Sequence, residues 1–175
     1  DKNGKPMRYV VKELDENGNP VEDGKIVSLG GVPYKVKDDS VAEQKYFAFT
    51  NTQQTSITVT KTWRGLPQNA AYFGLFQEGS EQRKDKITLT AEDGWKGEFK
   101  DIQFKNPAGN QIVYVVRELD KDGNILEEGE NTSVRLGNTK YRITRDGYAF
   151  TNTELIDLEI TKEWSATIPE GARRL

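Results

Sequence analysis

Two stretches of this chain occur twice in closely similar form, and that repetition limits its architecture more than any other feature. "MRYVVKELDENGNPVEDG" (7–24) returns as "IVYVVRELDKDGNILEEG" (112–129), and "YFAFTNTQQTSITVTKTW" (46–63) returns as "GYAFTNTELIDLEITKEW" (147–164). Each recurs about a hundred residues on, the size of one ordinary domain. A unit that begins at the strand "SITVTKTW" is complete once, over 55–153. Residues 1–54 then read as the C-terminal part of a preceding unit, and 154–175 as the N-terminal strand region of a following one. The first residue is Asp rather than Met, so the sequence reads as a window on a longer tandem array.

Within the unit nearly everything alternates as strands do. "AYFGLFQEG" (71–79), "DKITLTAED" (85–93), "GWKGEFKDI" (94–102), "QIVYVVREL" (111–119), "TSVRLG" (132–137), "TKYRITR" (139–145) and "YAFTNT" (148–153) are short and rich in β-branched and aromatic residues. "DGW" (93–95) and "DKDGN" (120–124) carry hairpin-turn chemistry. Seven or eight such strands in one domain predict an all-β fold, an antiparallel β-sandwich. No helix is assigned to "LPQNAAY" (66–72).

Parity then exposes a contradiction. Side chains two apart on a strand share a face, so Ile57, Val59, Lys61 and Trp63 form one apolar row with a lysine inside it. The repeat has the same row in Ile156, Leu158, Ile160, Lys162 and Trp164. Tyr148, Phe150 and Asn152 share a face, as do Phe47, Phe49 and Asn51 in the earlier copy. Ile112, Tyr114, Val116 and Glu118 also align, although the opposite face holds Val113, Val115 and Leu119 beside Arg117. The earlier copy supports the assignment, because Arg8 and Lys12 lie opposite Met7, Tyr9, Val11 and Glu13. Each unit therefore turns a lysine, a glutamate and an asparagine inward. Left unpaired, each costs several kcal/mol.

Three readings fit that row. The groups sit half-exposed at strand ends with the lysine stem lying along Trp63; they form a buried ion pair hydrogen-bonded by the amide; or they react. The absence of cysteine and histidine excludes disulfides, thiol nucleophiles, Ser-His-Asp triads and most zinc sites. On the third reading the parts are an amine, an amide carbonyl to attack and a carboxyl to shuttle protons.

The order "ITVTK-x-W … Y-x-V-x-E … F-x-N-T", with a Gly/Asn-rich turn after the glutamate, resembles the Cna B-type domains, the B-type repeats of the collagen adhesin family. These form stalks and shafts of Gram-positive surface proteins and pilins. The resemblance implies an inverse immunoglobulin-like sandwich and an intramolecular isopeptide bond between Lys61 on the first strand and Asn152 on the last. Glu118 is the catalytic carboxyl on this reading, and Glu13, Asn51 and Lys162 are the equivalent residues of the partial units. Burial would lower the lysine pKa toward the neutral amine and raise that of Glu118, which would then polarise the Asn152 carbonyl. The reaction is a single turnover on the chain itself, so no enzyme is expected. No cofactor or metal is implied.

The resemblance further implies a stalk repeat on the bacterial cell surface, anchored to the cell wall through a region outside 1–175. The expected partners are adjacent repeats of the same chain, with a host matrix protein engaged through a distal domain. The alternative is an adhesive module whose own face binds a host matrix protein. Exposed Thr58, Thr60, Thr62, Glu159, Thr161 and Glu163 favour the spacer; an adhesin calls for a groove or apolar patch. The net charge of −3 carries no nucleic-acid footprint, and no apolar run is long enough to cross a membrane. "DKDGN" and "DENGN" place glycine two positions too early for a calcium loop of the EF-hand type. The glycosylation sequon "NTS" (131–133) is expected to be silent, and Tyr72, Phe73 and Phe76 are expected to fill the core. The unit at 1–54 is expected to be a partial sandwich with exposed apolar edges, and Lys162 to remain unlinked to Asn51.

Overall fold

The computed structural model describes residues 9–41 and 46–163, and every regular element among them is a strand. Met7, Arg8, the 42–45 part of an insertion in the earlier copy, and Trp164 lie outside the described residues. The strands are β1 (Glu13–Leu14), β2 (Pro20–Val21), β3 (Ile26–Leu29), β4 (Val32–Asp38), β5 (Phe49–Arg64), β6 (Ala71–Gln77), β7 (Arg83–Leu89), β8 (Lys96–Gln103), β9 (Tyr114–Leu119), β10 (Val134–Leu136), β11 (Thr139–Asp146) and β12 (Ala149–Leu155).

Two sheets face each other. The larger runs β10-β11-β12-β5-β4-β3, with β8 also paired to β5, and the smaller is β7-β6-β9. Ile57, Val59, Phe99, Ile143 and Phe150 from the larger sheet pack with Phe73, Leu75, Leu89 and Val116 from the smaller. Burying each such side chain contributes about 1.5–3 kcal/mol. The fold is therefore the predicted all-β sandwich. Tyr72 is half-buried with Phe73 and Phe76 in the core, and 66–70 contains no helix.

Pairing is antiparallel except at one place. β12 runs parallel to β5, with Phe150 opposite Lys61 and Asn152 opposite Trp63. Alternation alone does not give this, because a strand's partners are chosen by the whole sheet. β5 is also longer than expected. Its 16 residues join the end of the earlier copy to the start of the complete unit without a break. Residues Phe49–Gln53 pair with β4, and Gln54–Thr60 with β8.

Two turns differ from a simple hairpin reading. "DGW" connects β7 to β8, which belong to different sheets, so it carries the chain across the sandwich. In β8, an extra residue opposite the Thr55/Ile57 step makes a bulge, and Asp101 takes a positive φ of 53° there. The bulge brings Phe99 and Ile102, three apart, to the same interior. By contrast, "DKDGN" closes a tight turn: Leu119 bridges Ile125, and the Asp120 carboxylate accepts the Asp122 and Asn124 amides.

The second lysine row does not become a strand. β12 ends at Leu155, and Ile156, Leu158 and Ile160 are 74%, 80% and 90% exposed. An apolar row buries only against partners, and no described strand pairs with it. Residues 9–54 carry a small interior at Val27 and Val36, while Tyr9, Val10 and Leu14 are exposed.

Candidate functional site

Lys61, Glu118 and Asn152 come from three strands of two sheets and meet at the sheet–sheet interface. Lys61 lies on β5 and Asn152 on β12, one step apart diagonally across the parallel pairing. A diagonal neighbour on the same face is within reach of a long side chain. Glu118 enters from β9 in the opposite sheet, paired with Phe73 on β6. The Phe73 and Phe150 rings touch at 4.9 Å between centroids and close the space between the sheets. The Glu118 carbonyl accepts the Leu126 amide at 2.9 Å, which ties β9 to the chain leaving its turn.

All three polar groups are shut away from water: Lys61 is 4% exposed, Glu118 1% and Asn152 0%. This excludes the half-exposed arrangement. Lys61 Nζ donates to both Glu118 oxygens at 2.6 Å, and Asn152 Nδ2 donates to Glu118 Oε1 at 2.9 Å. Amine and amide thus share one carboxylate oxygen. The ammonium also lies 4.6 Å from the Trp63 ring centroid and 5.9 Å from that of Phe73.

Burial governs the electrostatics. Desolvation pushes the Lys61 pKa down to about 8 against the pull of the Glu118 carboxylate, and raises that of Glu118 despite the facing ammonium. Both shifts favour moving the proton from nitrogen to oxygen, giving a neutral amine beside a neutral acid. The amide is turned differently from expectation. Glu118 accepts from its nitrogen, and Asn152 Oδ1 is buried with no hydrogen-bond partner among the described residues. The physical reason is that an ionised carboxylate is acceptor-only. Once Glu118 is protonated, a half-turn of the amide presents the carbonyl to it.

The earlier copy repeats two of the three groups without turning both inward as expected: Asn51 is exposed, because little of a second sheet covers it. Asn51 Nδ2 donates to Glu13 Oε1 at 2.6 Å, and Glu13 Oε2 is buried with no partner among the described residues. Lys162 lies beyond the end of β12 and is exposed.

Sequence patterning placed Trp63 beside the lysine but missed Trp95, Tyr141 and one charge. Trp63 meets Trp95 edge-on at 5.6 Å and Tyr141 at 5.3 Å. Glu128 is bound by Arg145 at 2.6 Å, and its charge opposes deprotonation of both Lys61 and Glu118. The only available signal for Trp95 was its place after the turn glycine. Among the described residues, no group of three or more acidic, His or Cys side chains is placed to hold a metal ion. No helix among them is long and apolar enough to cross a membrane.

The family model described as Cna protein B-type domain matches residues 57–153. The collagen adhesin of Staphylococcus aureus is 27% identical over 128 residues, spanning 67% of this chain and 9% of that protein's length. Among solved structures, a single B repeat unit of the collagen-binding surface protein of Staphylococcus aureus aligns at a TM-score of 0.38 and 17% identity, over 66% of this chain and 68% of that one. The pilus adhesin SpaC of Lactobacillus rhamnosus GG aligns at 0.38 and 19%, over 62% and 13%.

Proposed function

Because this chain belongs to the Cna B-type domain family, we propose that it is a stalk repeat of a bacterial surface adhesin or pilin, locked by a self-formed isopeptide bond between Lys61 and Asn152. One observation carries the reading: a single buried oxygen, Glu118 Oε1, lies 2.6 Å from the amine and 2.9 Å from the amide nitrogen. A merely structural ion pair would not leave the amide's oxygen, Asn152 Oδ1, buried without a hydrogen-bond partner among the described residues. An extracellular, wall-anchored setting follows the surface adhesins among the relatives. The exposed Thr58 and Thr62 on the outer face of β5 suit a spacer between repeats.

The ammonium of Lys61 passes one proton to Glu118 and becomes a nucleophile. Protonated Glu118 gives its proton to Asn152 Oδ1 as Nζ attacks Cγ, which leaves Glu118 a carboxylate. Glu118 then takes a proton from Nζ and delivers it to Nδ2. The Cγ–Nδ2 bond breaks, ammonia leaves, and the Nζ–Cγ amide remains. One proton of the starting ammonium is left over, held by Glu118 or carried off as ammonium ion. Rigid strands keep the reactants in place, the proximity that free amide exchange lacks.

Replacing Glu118 by alanine (Glu118→Ala) is expected to leave the sandwich folded but uncrosslinked, with the full sequence mass. A cross-link formed at the native rate in that variant would remove Glu118 from its role.

The reactive arrangement, neutral amine plus neutral acid, holds the same number of protons as the ion pair. Cross-linking should therefore be fastest where the pair carries one proton. The rate is expected to fall in acid, where the amine is also protonated, and to fall again above pH about 8, where the last proton leaves Lys61 and no acid remains to polarise the carbonyl. Refolding freshly synthesised, unreacted chain at a series of pH values and following its mass tests this. A rate that keeps climbing to pH 10, as for a simple amine, would contradict the assigned acid.

A further inference from the structure

The turn between β7 and β8 puts a large aromatic residue where one is rarely tolerated. Trp95 has φ of 58°, directly after Gly94 at 61°. Two successive residues with positive φ form the centre of tight turns built for Asn and Gly, and a bulky side chain there is strained. Strain of this kind persists only where the surroundings hold it. Here the surroundings are Lys61 itself. The Lys61 amide donates to the Trp95 carbonyl at 2.8 Å, and the Trp95 amide donates to Thr90 O at 3.0 Å. The Trp95 ring packs edge-on against Trp63, which lies over the Lys61 ammonium. Trp63 and Trp95 are both only partly buried, so the two rings together form the rim over the Lys61 side chain, with Trp95 packed edge-on against Trp63.

We propose that Trp95 is a positioning residue for the cross-link: its strained turn locks the indole against Trp63, and Trp63 is thereby held as a dry cover over the Lys61 amine. Resting on the isopeptide reading, the role is indirect, since Trp95 touches neither reacting group. Charged groups acting on the amine are Glu118 from β9 and Glu128 from the chain after it; β12 presents the neutral Asn152, and β6 presents Phe73. Asp93 and Lys96 flank Trp95 in its turn, and Asp93 is engaged by the Thr90 hydroxyl at 2.8 Å. Neither is among the charges that act on Lys61. Loosening the cover therefore acts on the amine through water alone.

The test uses the full chain and two readouts. Trp95→Gly removes the ring and relieves the backbone; Trp95→Asn removes the ring with a residue that also accepts positive φ; Trp95→Phe keeps an aromatic cover. In an Asn152→Ala background, which cannot cross-link, the Lys61 side chain is titrated by NMR. The midpoint is expected to move up toward the ordinary lysine range in the Gly and Asn variants and to stay near the parent value with Phe. With Asn152 intact, mass loss near neutral pH should slow by roughly tenfold for each unit of that rise, while Phe retains most of the rate. An unmoved midpoint in a folded Gly or Asn variant overturns the proposal. If the parent chain loses no ammonia at all, the isopeptide reading fails, and the titration still decides whether Trp95 keeps the amine dry.

Discussion

The folded chain is expected to weigh about 17 Da less than its sequence, the loss of one ammonia on amide exchange. The missing mass should be found in one branched tryptic peptide that joins 46–64 to 146–162, because trypsin does not cut after a lysine whose amine is acylated. The expectation is one loss and not two. Asn51 and Glu13 are bonded to each other, and Lys162 lies beyond the end of β12 on no described strand that pairs with theirs. A chain at its full sequence mass would sink the central proposal. A second ammonia lost, with a branch from Lys162 to Asn51, would instead show strand exchange between units or between chains.

Asn152→Ala is expected to lower the melting temperature by roughly 20–50 °C. The substitution removes the electrophile but leaves the Lys61–Glu118 ion pair intact, so it isolates the cross-link better than loss of either charge. A bond between Lys61 and Asn152 closes a loop of about 90 residues, and by analogy with disulfides such a closure stabilises by about 4–5 kcal/mol. For a domain of about a hundred residues, each kcal/mol shifts the midpoint by about 4–8 °C. The lost Asn152–Glu118 hydrogen bond adds about 1 kcal/mol. Thermal unfolding of the two proteins side by side measures the difference. A shift of only a few degrees would mean that the native protein carries no covalent closure. The same bond joins the parallel neighbours β5 and β12, so a pull along those strands would load the amide before the hydrogen-bond ladder.

The inward placement of the three polar groups was legible because strand parity is local. Ile57, Val59 and Lys61 are buried and Thr58 and Thr62 exposed, as a period of two demands. The same rule placed Val116 and Glu118 inside and left Val113 outside, and it placed Phe150 with Asn152. It stopped working where the backbone departs from regular alternation. The bulge at Asp101 turns both Phe99 and Ile102 inward, and no pattern with a period of two contains that step. Trp95 was invisible as part of the site for a similar reason: its role depends on a left-handed backbone and on a ring from another strand.

By itself, the sequence determined the repeat, the all-β class and, within the complete unit, which way Lys61, Glu118 and Asn152 point, since each depends on neighbours along the chain. The tertiary structure alone decided which inward residues meet. Lys61 and Asn152 become diagonal neighbours only because β12 lies parallel to β5, and Glu118 reaches them only because β9 sits in the facing sheet. The row Ile156, Leu158 and Ile160 has the same alternation as Ile57 and Val59 yet stands exposed. Alternation sets which way a side chain points, whereas burial, and with it the low pKa of an amine, needs partners that only the assembled sandwich supplies.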